Sequence, residues 1–283
     1  MASRRPPARR RPPPRRNTGS DLGKRILVAI PAIAFAITII YFGGATFALG
    51  ALALGLVCIH ELFTMLEKMR PVRLAGFLGI SGLVAAAALG DDASVLLALV
   101  AFLPVLFLLT LASPIRERIS LSLAATVLGV YWIGLALANA VLLRGLDHGG
   151  ALVVMVLLGT FFGDTFAYFG GRLLGRHKLA PVISPNKTWE GLACGIVVGT
   201  LVVWYWSRTY TGDWISGLDG LLLGLAVVIA APIGDLFESL IKRDMGTKDT
   251  GTLFGAHGGA LDRVDAALFA LVAGYYVWLA VGG

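Results

Sequence analysis

The sequence predicts an all-α protein, a polytopic bundle of about nine transmembrane helices with a cytosolic N-terminus. Hydrophobic residues make up 57% of the 283 residues and charged residues only 14%, against about 25% charged in ordinary globular domains. After residue 25 the chain is a succession of apolar runs, each close to the roughly 20 residues that a helix needs to cross a bilayer. The runs lack the strict alternation of outer-membrane barrel strands, so we expect helices.

The first 25 residues form a segment of different composition. They contain nine of the 24 basic residues and begin MASRRPPARRRPPPRR. A segment with so few apolar residues cannot build a core, so we expect a disordered cytosolic tail at 1–25. No cleavage site follows it, which argues against a secretory signal. We expect the tail to contact anionic lipid and to fix topology in preference to binding nucleic acid.

Hydropathy divides the rest of the chain into an N-terminal group of transmembrane helices at 26–143 and a C-terminal catalytic region at 144–283. The third span is short and the boundary at Gly43-Gly44 is tight, which leaves eight or ten spans as alternatives. The predicted spans are 26–42, 45–66, 75–90, 94–113, 119–142, 151–170, 190–207, 219–240 and 264–281.

Basic residues in the loops give an independent test of this arrangement. With the N-terminus in the cytosol, 22 of the 24 Lys and Arg residues fall in cytosolic segments. Only Arg144 and Arg208 fall outside. A miscounted span in the middle of the chain would have scrambled this alternation, so the positive-inside rule favours nine spans.

Five polar residues lie inside predicted spans, where they are costly and mark function by default. They are His60 and Glu61 in the second span, Asp164 in the sixth, and Asp235 and Glu238 in the eighth. Asp164 and Asp235 are expected roughly 8 Å below the cytosolic helix ends, at 1.5 Å per residue. A cluster on one side predicts a cavity open to the cytosol; the alternative is a set of structural carboxylates near helix ends.

Two cytosolic connections run to about 20 residues, a length typical of functional loops. The first, 170–191, is not a P-loop, and it places Ser184, Asn186, Lys187 and Thr188 just before the seventh span. We expect Thr188 to cap that helix, whose N-terminus would then offer N–H groups to a phosphate. The alternative is an ordinary basic loop with a routine helix cap.

The second long connection, 235–265, alternates carboxylates and cations with glycines. Asp262 stands at the start of the ninth span and Asp235 near the end of the eighth. If these helices pack side by side, the two carboxylates converge and suit Mg²⁺, which takes one or two carboxylates plus substrate phosphates. His257, between small residues, is as consistent with a structural hydrogen bond as with catalysis.

These motifs resemble the integral-membrane phosphatidate cytidylyltransferase family, also called CDP-diacylglycerol synthases. The resemblance covers residues 150–283 with specificity and includes the run 183–191 and Asp164 followed by Ala167-Tyr168. The family's C-terminal signature is filled without a gap by Ser239, Lys242, Arg243, Lys248, Asp249, Gly255, His257, Gly258, Gly259, Asp262, Arg263 and Asp265.

The resemblance implies a reaction of CTP with phosphatidic acid that gives CDP-diacylglycerol and pyrophosphate. It implies metal ligation by Asp235 and Asp262, with Asp265 and Asp249 as weaker candidates, and leaves Asp164 between metal support and a structural role. The implied catalytic residues are Asp235, Asp262, Lys242, Arg243, Lys248, Asp249 and Arg263. The implied substrate-binding residues are Ser184, Asn186, Lys187, Thr188, His257, Gly258, Gly259 and Asp164.

The resemblance also implies the cofactor and the location. We expect Mg²⁺ or Mn²⁺, with an additional monovalent cation left open, and CTP, phosphatidic acid and membrane lipids as partners. We expect no nucleic acid, and leave a homodimer open. The location expected is the inner membrane of a bacterium, with the active site facing the cytosol. The alternatives are a CTP-dependent transferase for another lipid phosphate and a transporter of a phosphorylated substrate.

Overall fold

The computed structural model describes residues 18–112, 117–212, 214–251 and 258–282. The described chain divides into two units, with the boundary between Ala36 and Ile37, and the packing given below is that of the second. Residues 1–17, most of the predicted tail, lie outside the described residues. Helix α1 begins at Thr18 and so includes residues 18–25 of the predicted tail; the disorder of the tail stays a prediction.

The described chain is almost entirely helical, as predicted. A π-helical turn, Val130–Gly134, joins α5 to α6, so these two helices form one continuous span from Ile119 to Gly145. The helices are α1 (Thr18–Phe42), α2 (Gly44–Met65), α3 (Arg73–Leu89), α4 (Asp92–Ala112), α5 (Ile119–Gly129), α6 (Leu135–Gly145), α7 (Gly149–Leu174), α8 (Trp189–Thr209), α9 (Gly217–Asp244) and α10 (Leu261–Val281), with a short 3₁₀ turn at Glu67–Met69.

Every predicted span falls on a helical segment, the fifth on α5, the π-helical turn and α6 together. Seven helical segments in the described chain are long and apolar enough to cross a membrane, and Ile30–Phe42 and Arg73–Leu89 are shorter apolar helices. The predicted all-α polytopic bundle is therefore confirmed, with seven to nine spans. The predicted division between 143 and 144 falls inside α6, two residues before its end at Gly145.

With α5 and α6 counted as one span, successive spans from α2 to α10 run in opposite directions, so the connections gather at two ends of the bundle. At one end the Tyr275 hydroxyl, late in α10, donates to Asp92 at the start of α4 (2.7 Å). At the other end the Ser122 hydroxyl, early in α5, donates to the carbonyl of Arg70, which precedes α3 (2.5 Å). We call the second end, which carries both long connections, the site end.

Basic side chains are concentrated at the site end. Among the described residues from 37 onward, Arg144 and Arg208 alone lie in the last turns of helices that finish at the opposite end. Arg144 donates from Nε to the carbonyl of Ile40 (2.9 Å) and so ties α6 to the end of α1. The structure thus reproduces the alternation that the charges predicted.

Helices α7 and α8 meet along a seam of small residues. A Cβ atom built on Gly195 would lie 2.6 Å from the carbonyl oxygen of Gly163, and one on Gly191 would lie 2.5 Å from that of Ala167. Small residues at four-residue spacing let membrane helices approach closely, where dispersion forces replace the hydrophobic effect. This seam fixes the start of α8 against α7.

The first long connection contains a hairpin that the sequence analysis did not predict. Strands β1 (Lys178–Ala180) and β2 (Ser184–Thr188) pair antiparallel. The base of the hairpin is held by Glu190, whose carboxylate accepts hydrogen bonds from the backbone N–H groups of Arg176 (3.1 Å) and His177 (3.2 Å). Because β2 runs directly into α8, the hairpin and the helix form one rigid connection.

Candidate functional site

The hairpin delivers Lys187 to a carboxylate of α9. Thr188 caps α8 as predicted, because its hydroxyl accepts a hydrogen bond from the N–H of Gly191 (3.1 Å). The neighbouring Lys187 places Nζ 2.7 Å from Oδ2 of Asp235. The Ser239 hydroxyl, one turn later in α9, donates to Oδ1 of Asp235 (3.3 Å). Both side chains of the ion pair are partly exposed, but Nζ of Lys187 itself is buried against the carboxylate.

Two further carboxylates, from two other helices, lie near this ion pair. Asp235 of α9 lies close enough to Asp164 of α7 and to Asp265 of α10 for their charges to repel, and Lys187 acts on Asp164 as well. Gly234 permits the close approach of α10, since a Cβ there would lie 2.5 Å from the carbonyl oxygen of Asp265. We call Asp164, Asp235 and Asp265 the carboxylate cluster.

The carboxylate cluster lies deeper along its helices than the sequence analysis predicted. Helix α7 continues to Leu174 and α9 to Asp244. Asp164 and Asp235 therefore lie roughly 15 Å along the axis from these helix ends, not 8 Å, at 1.5 Å per residue. The prediction took the end of the apolar run as the helix end, whereas the helices extend past that boundary.

Asp262 occupies the predicted position at the start of α10, but its oxygens are already bound by protein donors. Oδ1 accepts a hydrogen bond from Nζ of Lys242 (2.8 Å). Oδ2 accepts three hydrogen bonds. The N–H of Gly259 (2.7 Å), the hydroxyl of Thr250 (2.9 Å) and the N–H of Thr250 (3.0 Å) donate them. We call the connection between α9 and α10, which is described at residues 245–251 and 258–260, the signature loop. Asp262 thus closes the signature loop onto α10, and its role as a metal ligand stays a prediction.

Carboxylates of α9 and α10 do interact, as the close packing of the two helices allows, but the pair that the structure brings together is Asp235 and Asp265. The approach of Asp262 to Asp235 stays a prediction. Asp265, one turn into α10, interacts with Asp235, while Asp262 is bound by Lys242. Lys242 also forms a salt bridge with the fully buried Glu238, one turn earlier in α9. Through Lys242 the loop around Asp262 is linked to the helix that carries the cluster.

Arg243 ties the two long connections together. Its Nε donates to the carbonyl oxygen of Ile183, at the tip of the hairpin (3.2 Å). Since Lys242 and Arg243 are neighbours on α9, one turn of this helix fixes both the signature loop and the hairpin. The predicted phosphate-binding role of these two cations stays a prediction.

A cavity of about 1210 Å³ opens beside the signature loop. Apolar side chains of α2 and α3 form one wall, among them Leu56, Phe77 and Leu78, and residues 247–251 form the other. The exposed Lys248 and Asp249 belong to this polar wall. The cavity therefore combines an apolar surface with a charged one at the site end.

The remaining predicted residues are distributed around these features. Gly258 adopts φ 81° beside Asp262, a conformation that favours glycine. His257 lies outside the described residues. Ser184 and Asn186 lie in β2, Gly259 donates to Asp262, and Arg263 follows Asp262 in α10.

The residues present fit a cation, although they do not form a complete ligand shell. Among the described residues, no three His, Cys, Asp or Glu side chains converge tightly enough to hold a metal ion. The cluster nevertheless sets three carboxylates against two ammonium groups, those of Lys187 and Lys242. Lys242 is shared with Glu238 and Asp262. A divalent ion that takes one or two carboxylates and completes its shell with phosphates and water suits this excess of negative charge.

Two residues with a clear part in this site were not assigned by the sequence analysis. Thr250 gives Asp262 two hydrogen bonds, and only its place inside the signature, next to Asp249, could have drawn attention to it. Glu61 was noted as a polar residue in a span but given no role. Its carboxylate accepts a hydrogen bond from the N–H of Leu261 (3.0 Å), 200 residues away, a contact that no local pattern reveals.

The fold and the site together define an integral membrane protein with a cluster of carboxylates and cations at one end of its helices. The chain belongs to the cytidylyltransferase family, whose model matches residues 23–281. It is therefore a nucleotidyltransferase, and the resemblance inferred from its motifs is confirmed.

Curated relatives agree with this assignment. The chain is 34% identical over 260 residues to phosphatidate cytidylyltransferases of Brucella abortus (biovar 1, strain 9-941) and Brucella suis (biovar 1, strain 1330), with 89% of this chain and 91% of each relative covered. It is 37% identical over 161 residues to a phosphatidate cytidylyltransferase of Mycobacterium leprae, with 56% of this chain and 50% of the relative covered.

Proposed function

We propose that this protein transfers the cytidylyl group of CTP to phosphatidate, which forms CDP-diacylglycerol and releases pyrophosphate. One observation carries the proposal: the cavity has an apolar wall from two membrane helices and a charged wall from the signature loop. A lipid with a phosphate head group and a soluble nucleotide can meet in such a space. The name of the relatives, phosphatidate cytidylyltransferase, supports this choice of substrates.

The chemistry needs charge neutralisation more than proton transfer. A phosphate oxygen of the lipid attacks the α-phosphorus of CTP, a new P–O bond forms, and the bond to the bridging oxygen breaks as pyrophosphate leaves with its electron pair. The nucleophile is already anionic, so no general base is required. Cations aimed at the departing pyrophosphate stabilise the transition state most, because charge develops there.

We assign these cations to Lys187, Lys248 and Arg263, with Lys242 and Arg243 holding the frame around them. Lys187 has the strongest structural support, because the capped hairpin fixes it beside the carboxylate cluster, 2.7 Å from Asp235. Ser184 and Asn186 in the same strand would orient the phosphates. Lys248 lies on the exposed wall of the cavity, where a nucleotide can enter.

We further propose that the cofactor is Mg²⁺ or Mn²⁺, with a monovalent cation as a further candidate. Asp235 would hold the divalent ion, with Asp265 or Asp262 as a second carboxylate. When bound, the ion supplies positive charge to the phosphates of CTP and orients them. Asp164 and Lys187 would balance the charge around it.

The site end is proposed to face the cytosol in the inner membrane of a bacterium. Basic residues are concentrated at this end, which the positive-inside rule places in the cytosol. CTP is a soluble nucleotide, and a cytosolic cavity gives it direct access. The bacterial origin of the relatives favours the inner membrane.

The test is a reconstituted reaction with purified full-length protein in detergent and radiolabelled CTP. Phosphatidate, lysophosphatidate and an isoprenoid phosphate are compared, each with Mg²⁺, with Mn²⁺ and with chelator. We expect a liponucleotide and pyrophosphate in equal amounts from phosphatidate with metal. If a liponucleotide formed only from another lipid phosphate, the proposed substrate would be wrong. If product formed in the presence of chelator, the proposed metal requirement would be wrong.

A further inference from the structure

Glu61, in the N-terminal group of helices, contacts the C-terminal signature loop. It lies near the end of α2 and is only 6% exposed. Oε2 of Glu61 accepts a hydrogen bond from the N–H of Leu261 (3.0 Å), the first residue of α10. Because a helix leaves its first N–H groups without intrahelical partners, this carboxylate satisfies one of them from outside the helix.

Two glycines let the loop backbone lie directly against this carboxylate. A Cβ atom on Gly251 would lie 2.6 Å from Oε1 of Glu61, and one on Gly259 would overlap Oε2. Gly259 in turn donates its N–H to Asp262 (2.7 Å). The carboxylate of Glu61 therefore touches two residues on the N-terminal side of Asp262, Gly259 three positions before it and Leu261 immediately before it.

The second oxygen of Glu61 indicates a role beyond stability. Oε1 is buried and has no hydrogen-bond partner among the described residues. A buried polar atom left in this state costs about 1–3 kcal/mol, which an apolar side chain of similar size would avoid. Glu61 also lines the cavity, together with residues 247–251 of the loop that it contacts.

We propose that Glu61 is a positioning residue for the transfer reaction. It fixes the start of α10 and the loop glycines against α2, and thereby sets where Asp262 and the cavity wall at residues 247–251 stand relative to the substrates. Its role in turnover rests on the proposed function. Glu61 acts through the backbone that it holds and not through contact with the reacting atoms.

Two conservative variants separate position from charge. Glu61→Gln keeps the length of the side chain and an oxygen that can accept from Leu261. Glu61→Asp keeps the charge but withdraws the carboxylate by one methylene. A displacement of about 1 Å at a reacting centre can cost up to about 100-fold in rate. We expect kcat to fall about tenfold or more in Glu61→Asp and less than about threefold in Glu61→Gln.

The control is the same pair of substitutions at Glu67, which lies in the exposed turn after α2. Both Glu67 variants should keep the kcat of the unmodified protein. Loss of activity in Glu61→Gln alone, equal losses in both Glu61 variants, or unchanged kcat in both would overturn the proposal. A parallel fall in folded yield in both Glu61 variants would also overturn it, because it would show a purely structural role.

Hydrogen exchange gives a second readout that does not depend on the substrate. Backbone amides of residues 245–251 and 258–265 should exchange at least about tenfold faster in Glu61→Asp, as expected when a protecting contact opens locally. Exchange in Glu61→Gln should match that of the unmodified protein. If the protein proved inactive toward phosphatidate, this difference would still test Glu61, and its absence would overturn the positioning role alone.

Discussion

At the scale of single residues, the ion pair of Lys187 and Asp235 brings a cation of the first long connection next to a carboxylate of α9. Lys187 comes from the hairpin and Asp235 from α9, and their charged atoms lie 2.7 Å apart. Nζ of Lys187 is buried, so loss of either partner would leave a charge without its counter-ion. The pair therefore fixes the hairpin against α9 and holds a cation beside the carboxylate cluster.

The first prediction concerns Lys187. Lys187→Gln should lower kcat/KM for CTP by about 100-fold, as expected when a cation that faces a transferring phosphate is removed. Arg172→Gln and Arg176→Gln remove one charge each from the same connection and should change kcat/KM by less than about twofold. Initial rates against CTP concentration in one detergent give the comparison. Equal, small effects in all three variants would show that Lys187 does not bind a phosphate and that the basic residues of this connection serve only to fix topology.

The second prediction separates Asp235 from Asp262. Asp235→Asn should abolish turnover with little change in thermal stability, because relief of the repulsion from Asp164 and Asp265 offsets the lost ion pair with Lys187. Asp262→Asn should abolish turnover and also lower the free energy of unfolding by about 2 kcal/mol, because an amide cannot accept from all the donors that surround Asp262. Initial rates and thermal unfolding in detergent measure both effects. Near-normal turnover by Asp235→Asn at limiting Mg²⁺ would contradict its assignment to the metal.

At the scale of elements, the seam between α7 and α8 determines where the hairpin can stand. Gly163 and Ala167 of α7 face Gly191 and Gly195 of α8 at backbone contact distance. The first turn of α8 follows β2 without an intervening loop, so a shift of α8 would carry Lys187 away from Asp235. The small residues thus position a catalytic candidate as well as stabilising the bundle.

The third prediction tests this seam. Gly195→Ala should destabilise the protein by about 1–3 kcal/mol, since its Cβ would meet the carbonyl oxygen of Gly163 and overpacking costs that much. The matched control is Gly82→Ala in α3, where a Cβ meets nothing within 4 Å. Gly82→Ala should be neutral or slightly stabilising. Thermal unfolding in detergent measures both variants, and equal stability would disprove the close packing of α7 on α8.

At the scale of the whole molecule, the alternation of helices places both long connections and nearly all described cations at one end. The opposite end is marked by aromatic packing, with the ring of His148 stacked on Trp214 at 4.3 Å and Trp214 against Trp278. Tryptophan is enriched at membrane interfaces. The two ends are therefore chemically distinct, which suits a site that faces one compartment only.

The fourth prediction assigns these ends to compartments. Val182 at the hairpin tip is 89% exposed, and Asp147 lies exposed in the connection between α6 and α7. With Cys194 replaced by Ala and the buried Cys58 retained, Asp147→Cys should react with a membrane-impermeant maleimide in intact cells. Val182→Cys should react only after permeabilisation. Labelling of Val182→Cys in intact cells would place the site end outside and remove the proposed access for CTP.

The sequence by itself determined the helices, their number and their alternation. Hydropathy is a property of consecutive residues, and a span needs only about 20 apolar ones, so all nine helical segments could be located. The cap at Thr188 is equally local, because the hydroxyl and the N–H that it accepts from are three residues apart. The signature also pointed to the family, since its residues stand at fixed spacing.

The tertiary structure alone decided which side chains meet. Hydropathy fixes neither the rotation of a helix about its axis nor its exact depth beside a neighbouring helix. A shift of one turn along α10 would change which of its carboxylates, Asp262 or Asp265, lies closer to Asp235. The same holds for Glu61, whose partner Leu261 is 200 residues away. Contacts between distant helices depend on how small residues let backbones approach, and that packing arises only when the whole bundle is assembled.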